Sequence, residues 1–218
     1  ITRFKMTLIT VPQYLKLVPN TKKERAEFLV EKINFCCPAY KIDTLDIFEE
    51  FFANLLHESG YLRIKEENLR YRNPEILVRN WKKHFPTIEF AKQYINNPSK
   101  LARYIYGETS IAKSLGNLTP SDGEKFIGSG FIQLTGRSNA TSYANYVGFD
   151  KPEELMELMR TDDYWALDSA CWFFAVRAKL IPLAIKDDIQ TINRRINGGT
   201  IGNKERIELL AKIKAVLS

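Results

Sequence analysis

Between Thr44 and Gly60 the apolar residues Ile47, Phe48, Phe51, Phe52, Leu55 and Leu56 recur at the helical period and merge into one broad face. A helix this apolar has to be buried, so the chain must fold with this segment inside and other elements around it. The segment ends in His57-Glu58-Ser59-Gly60, and Gly60 is a fitting stop. Glu58 therefore falls in the last turn, at the edge of the apolar face.

Helix punctuation continues along the chain. Thr21 and Glu24 stand at capping-box spacing ahead of Phe28, Leu29 and Ile33. Asn73-Pro74 and Asn97-Pro98 each read as an N-cap followed by a first-position proline, the second helix closing on Gly107. Residues 137–148 end on Gly148, residues 161–180 read as a long, largely buried helix, and residues 187–198 stop at Gly198. Asn203 is the expected cap of the last helix. The exception is 115–136, rich in Gly, Ser, Thr, Asp and Pro around the extended run Phe131-Ile132-Gln133-Leu134-Thr135. That stretch predicts loops around a small β-hairpin near residues 126–135.

Hydrophobic residues make up 44% of the 218, and charged residues, 27%, are dispersed. This suits one folded domain rather than a disordered chain. No apolar run approaches the roughly 20 residues of a membrane span. The first residues, ITRFKMTLITVPQY, show no secretory signal. A net charge of +6 and a pI near 9.1 attract anionic partners, yet no nucleic-acid motif is present. Cys36, Cys37 and Cys171 read as buried thiols, and with only His57 and His84 as imidazoles no zinc site is expected. Gly128-Ser129-Gly130 starts like a dinucleotide fingerprint, but Gln133 stands where the third glycine belongs.

Glu58 is the residue with chemical promise. An apolar neighbourhood and the negative end of a helix dipole both favour a protonated carboxyl, which is what a general acid needs. Glu67 follows nine residues later, beyond the turn. Two carboxyl groups on different elements can flank a glycosidic bond. Surface glutamates at this spacing are common, and His57 fits a packing or hydrogen-bonding role as well as a functional one.

The motifs go further than the spacing. His57-Glu58-Ser59-Gly60 with Glu67-Asn68-Leu69 and Tyr71 resembles the active-site segment of family 19 glycoside hydrolases, particularly phage endolysins and bacterial members. Residues 115–139, the Ser169–Phe174 stretch and Ile196-Asn197-Gly198-Gly199 with Arg206 resemble three further family blocks in the same order. The resemblance covers residues 41–218; residues 1–40 match loosely and form an N-terminal helical part of the same domain. It implies a mainly α, lysozyme-like fold with two helical lobes around a cleft. It also implies that Glu58 is the general acid, Glu67 the base that activates water, and Thr135 the hydroxyl that holds this water. His57, Tyr71, Gln133, Asn197 and Arg206 would contact substrate or steady the acid. Gln133 and Thr135 would equally suit the polar face of a strand, and Asn197 a helix C-cap.

The implied activity is cofactor-free, metal-free, inverting hydrolysis of β-1,4 bonds by a monomer that neither inserts into membranes nor binds nucleic acid. Peptidoglycan is the expected substrate, with chitin, or delivery as a secreted antibacterial effector, as alternatives; with no secretory signal seen, the endolysin reading implies storage in the bacterial host cytoplasm before release to the wall or periplasm. Three positions depart from the family pattern: Phe126 for a tyrosine, Ser129 for an arginine, and Ile201 near the place of an acidic residue. Phe126 and Ser129 are expected to leave a more open wall for a branched polymer.

Overall fold

The computed structural model describes residues 7–199 and 201–218. Among these, fourteen α-helices and two short π-helical turns carry the fold. The chain forms two compact units, one from Ile1–Lys65, Gly130–Ile132 and Thr161–Ser218, the other from Glu66–Ser129 and Gln133–Arg160. No helix among the described residues is long and apolar enough to cross a membrane.

The first unit is built on the Leu45–Glu58 helix. Ile47, Phe48, Phe51, Phe52, Leu55 and Leu56 are all buried, as their period requires. Each such side chain contributes about 1.5–3 kcal/mol on burial. Phe51 meets Phe174 edge-on with centroids 5.3 Å apart. The Asn203–Leu217 helix packs along this central element, and the Asp163–Trp172 helix packs on Lys23–Ala39. Cys36, Cys37 and Cys171 are free and buried, with the Cys37 and Cys171 sulfurs 3.8 Å apart.

The second unit gathers Leu69, Leu77, Phe85, Leu101 and Ile105 into its own core. Phe85 lies edge-on to Tyr94 and Tyr104 at 5.3 and 5.4 Å. The Asn73 and Asn97 side chains cap the Pro74–Asn80 and Pro98–Ala102 helices through the amides of Glu75 and Lys100, as expected. Asp122, almost wholly buried, forms a two-bond ion pair with Arg137 at 2.6 and 2.8 Å. The Arg137 amide in turn donates to Asn117 Oδ1 at 2.8 Å. These residues of the 115–139 motif hold the loop together.

Four expectations need correction. The hairpin near 126–135 is absent as a strand pair; only isolated antiparallel bridges link Ser129 to Glu66 and to Leu134. Gln133 at φ 55° and Gly136 at φ 90° are left-handed and interrupt the extended run on either side of Leu134. Thr21 does not cap the second helix, whose N-cap is Lys22 with no side-chain bond. Gly107 lies inside the π-helical turn Arg103–Glu108 rather than ending a helix. Asn203 is the first residue of the last helix; Gly202 precedes it as N-cap, and Asn203 Oδ1 instead accepts from Asn193 at 2.6 Å.

Candidate active site

Four of the site residues expected from the sequence meet in the first unit. Glu58 is the final residue of the central helix, and its side chain retains 20% exposure. Its Oε1 accepts from Arg206 Nη2, and this guanidinium is almost completely buried. Arg206 Nη1 donates to the carbonyl of Ile201 at 2.9 Å, and Asn197 Nδ2 donates to the same oxygen at 2.9 Å. One carbonyl thus aligns two of the expected substrate contacts. Asn197 also ends its helix, directly before Gly198 in the left-handed conformation, so its C-terminal position holds as well.

His57 completes this group. A Cβ on Gly202 would stand 2.6 Å from His57 Nε2 and 2.8 Å from Arg206 Nη1. Both side chains therefore press on a position that is also left-handed at φ +73° and admits glycine alone without strain. Burial, and then the Arg206 charge, depress the His57 pKa against the opposing pull of Glu58 and Glu205. His57 is thereby kept neutral beside the arginine.

The second unit positions Glu67. Its amide donates to Gly128 O at 2.9 Å, and the Gly128 amide returns a 3.3 Å bond to Glu67 Oε2. Tyr106 Oη donates to Glu67 Oε1 at 2.7 Å. Burial, reinforced by the Glu67 charge, pushes the Tyr106 phenol far above its usual range, so it stays a donor. A Cβ on Gly128 would lie 3.0 Å from Gln133 Oε1 and 3.2 Å from Glu67 Cβ, which places the Gln133 amide and Glu67 around one glycine. The Thr135 hydroxyl donates to Gln133 O at 2.9 Å, leaving its lone pairs as acceptors. Tyr71 packs edge-on to Trp81 at 5.8 Å, and its pKa is raised by burial and then by the Glu67 charge.

Tyr106 was missed in the sequence because 39 positions separate it from the carboxylate it serves. The signal available was the aromatic Tyr104–Gly107 stretch, which the structure winds into a π-helical turn, a distortion frequent at functional sites. The expected opening at Phe126 and Ser129 is not present: both are fully buried. Phe126 lies beneath the Arg137 guanidinium, 4.7 Å from ring centroid to Cζ. Ser129 Oγ donates to Ile127 O at 2.8 Å and accepts from Arg160 Nη1 at 3.0 Å. Ile201 is 84% exposed, and it is the backbone carbonyl at this position that orders Arg206 and Asn197.

The fold is the mainly α, lysozyme-like one seen in chitinases. A mutant of chitinase C superimposes with a TM-score of 0.64 at 16% identity, over 97% of this chain and 77% of that one. A bacterial family 19 chitinase does so with 0.63 at 17%, over 97% and 95%. In sequence, the chain is 34% identical over 163 residues to a glycosyl hydrolase family 19 domain-containing protein of Haemophilus influenzae, spanning 73% of this chain and 74% of that protein. No family model matches. The chain belongs to glycosyl hydrolase family 19.

Proposed function

We propose that the protein is a peptidoglycan hydrolase of the endolysin type, cleaving β-1,4-glycosidic bonds with inversion. The observation that carries the catalytic reading is that each carboxylate of the family motif has its own dedicated partners: Arg206 for Glu58, Tyr106 and Gly128 for Glu67. Glu58 gives its proton to the glycosidic oxygen as the C1–O bond breaks. Arg206 holds its rotamer and stabilises the carboxylate that remains. Glu67 takes a proton from water as that water adds to C1 from the opposite face. Thr135 accepts a hydrogen bond from this water. Gln133 and Asn197 bind sugar amides or hydroxyls, and Tyr71 and His57 border the sugar path.

The preference for peptidoglycan rests on the resemblance of the motifs to phage members and on the +6 charge, which attracts an anionic wall. In this reading both units form one catalytic domain, the enzyme acts as a monomer, and it waits in the host cytoplasm until the membrane is breached. Chitin is the second reading, favoured by the chitinases that share the fold. Parallel digestion of purified peptidoglycan and soluble chitin oligomers separates the two. Peptidoglycan should yield N-acetylmuramic acid at the new reducing ends. Efficient cleavage of chitin with peptidoglycan left intact would establish the alternative, and anhydro ends would remove the water-activating role of Glu67.

A further inference from the structure

The first unit contains a cavity of about 460 Å³ whose lining includes neither Glu58 nor Arg206. Its size falls in the range of small-ligand sites. Lys22, Arg25, Arg63 and Lys212 line it, and no Asp or Glu does. Arg25 is neutralised by Asp163 at 3.0 Å. Lys22, Arg63 and Lys212 form no ion pair with a carboxylate among the described residues. Leu17 and Tyr61 supply apolar wall. Three uncompensated cations around a partly apolar hollow suit a ligand that joins carboxylates to an apolar body. The helix Lys23–Ala39 also begins here without a side-chain cap, so its first amides add to the positive potential.

The wall is tied to the catalytic helix. Gly60, Tyr61 and Leu62, immediately beyond Glu58 and Ser59, are all left-handed, at φ 55°, 64° and 59°. For Tyr61 and Leu62 this is a strained conformation that persists only where the surroundings fix it. They do so here: Tyr61 N donates to Leu56 O at 2.7 Å, Leu62 N to Ser59 Oγ at 2.8 Å, and Arg25 Nη2 to Leu62 O at 2.8 Å. These bonds hold Tyr61 at the cavity, three residues along the chain from the proposed acid.

We propose that this cavity binds the acidic peptide branch of the wall polymer while the glycan strand is cut. The inference rests on the peptidoglycan reading and deepens it: chitin is neutral and unbranched and offers the cavity nothing. The test titrates the 218-residue chain with a synthetic stem-type peptide bearing several free carboxylates, and with its fully amidated counterpart, by calorimetry. The acidic peptide should bind and the amidated one, which has lost its charge pairs with the cavity, should bind about tenfold weaker. The double variant Lys22→Gln/Lys212→Gln should lose about tenfold in affinity on the same grounds, and its ratio of peptidoglycan to unbranched-oligosaccharide cleavage should fall. Lys82→Gln/Lys83→Gln removes the same charge from exposed positions of the second unit and should leave peptide affinity intact. Absence of binding, equal affinity for both peptides, or equal losses in both double variants overturns the proposal. Peptide binding without peptidoglycan cleavage would reject the proposed function and keep the cavity as an acidic-peptide site. Cleavage without peptide binding would do the reverse.

Discussion

Glu67 shows how much one hydrogen bond can matter at this site. Tyr106 is its only side-chain donor among the described contacts, and that phenol is held protonated by burial and by Glu67 itself. Tyr106→Phe removes the donor and keeps the ring. A hydrogen bond to a charged group is worth about 1.5–3 kcal/mol, so kcat should fall about tenfold or more with KM little changed. Steady-state kinetics on a soluble oligosaccharide reads this out; an unchanged kcat would make Tyr106 structural. Glu58→Gln keeps the shape of the acid and removes its proton, and should cost at least ~100-fold in rate with the fold retained by circular dichroism. Near wild-type turnover in that folded variant would reject Glu58 as the acid. Glu58 was legible in the sequence because a helix edge and a local motif mark it. Tyr106 was not, since nothing near it in the chain points to Glu67. The peptide-level role of Ile201 was hidden for another reason: it acts through a carbonyl, which every residue possesses.

The Leu45–Glu58 helix also carries a carboxylate that its burial does not suit. Glu50 is fully buried, and it faces another carboxylate, Asp187. Burial, with a hydrogen bond to Asp187 and then the Asp187 charge adding and Lys214 opposing, pushes its pKa from an ordinary 4.5 up to about 8. The folded state therefore binds this proton more tightly than the unfolded chain does. Its contribution to stability is complete below pH 4.5 and is lost as pH rises towards 8. Asp122 acts in the opposite sense: Arg137 depresses its pKa, so its contribution is present above the ordinary aspartate range and is lost on acidification. Glu50→Gln should remove the decline between pH 4.5 and 8 and leave the variant more stable than wild type at pH 8, as urea unfolding across that range would show. Parallel profiles for the two proteins would mean that Glu50 is ionised in the fold. The helices themselves were legible because asparagine caps, first-position prolines and terminal glycines act locally. Alternation in the sequence suggests a hairpin but does not encode the left-handed Gln133, whose side-chain amide lies beside Gly128. The Thr21 capping box failed similarly: Thr21 lines the cavity instead of bonding the first turn.

On the scale of the whole molecule, the two proposed catalytic carboxylates belong to different compact units, with the boundary between Lys65 and Glu66. That division was not legible in composition or periodicity. It depends on long-range backbone bonds, such as Gly130 N to Lys65 O at 2.8 Å and Phe131 N to Ala166 O at 3.2 Å, which place three residues of the central loop with the first unit. The family, by contrast, was legible from motif order, and the 34% identity to the Haemophilus influenzae protein agrees with it. The central proposal is that Glu58 protonates the leaving oxygen while Glu67 activates water, without a covalent intermediate. Proton NMR of the reducing end first released from a β-linked substrate, recorded before mutarotation, tests this most directly. The α-anomer should appear first, because water enters from the face opposite the leaving group; a first product with the β-configuration would contradict the proposal.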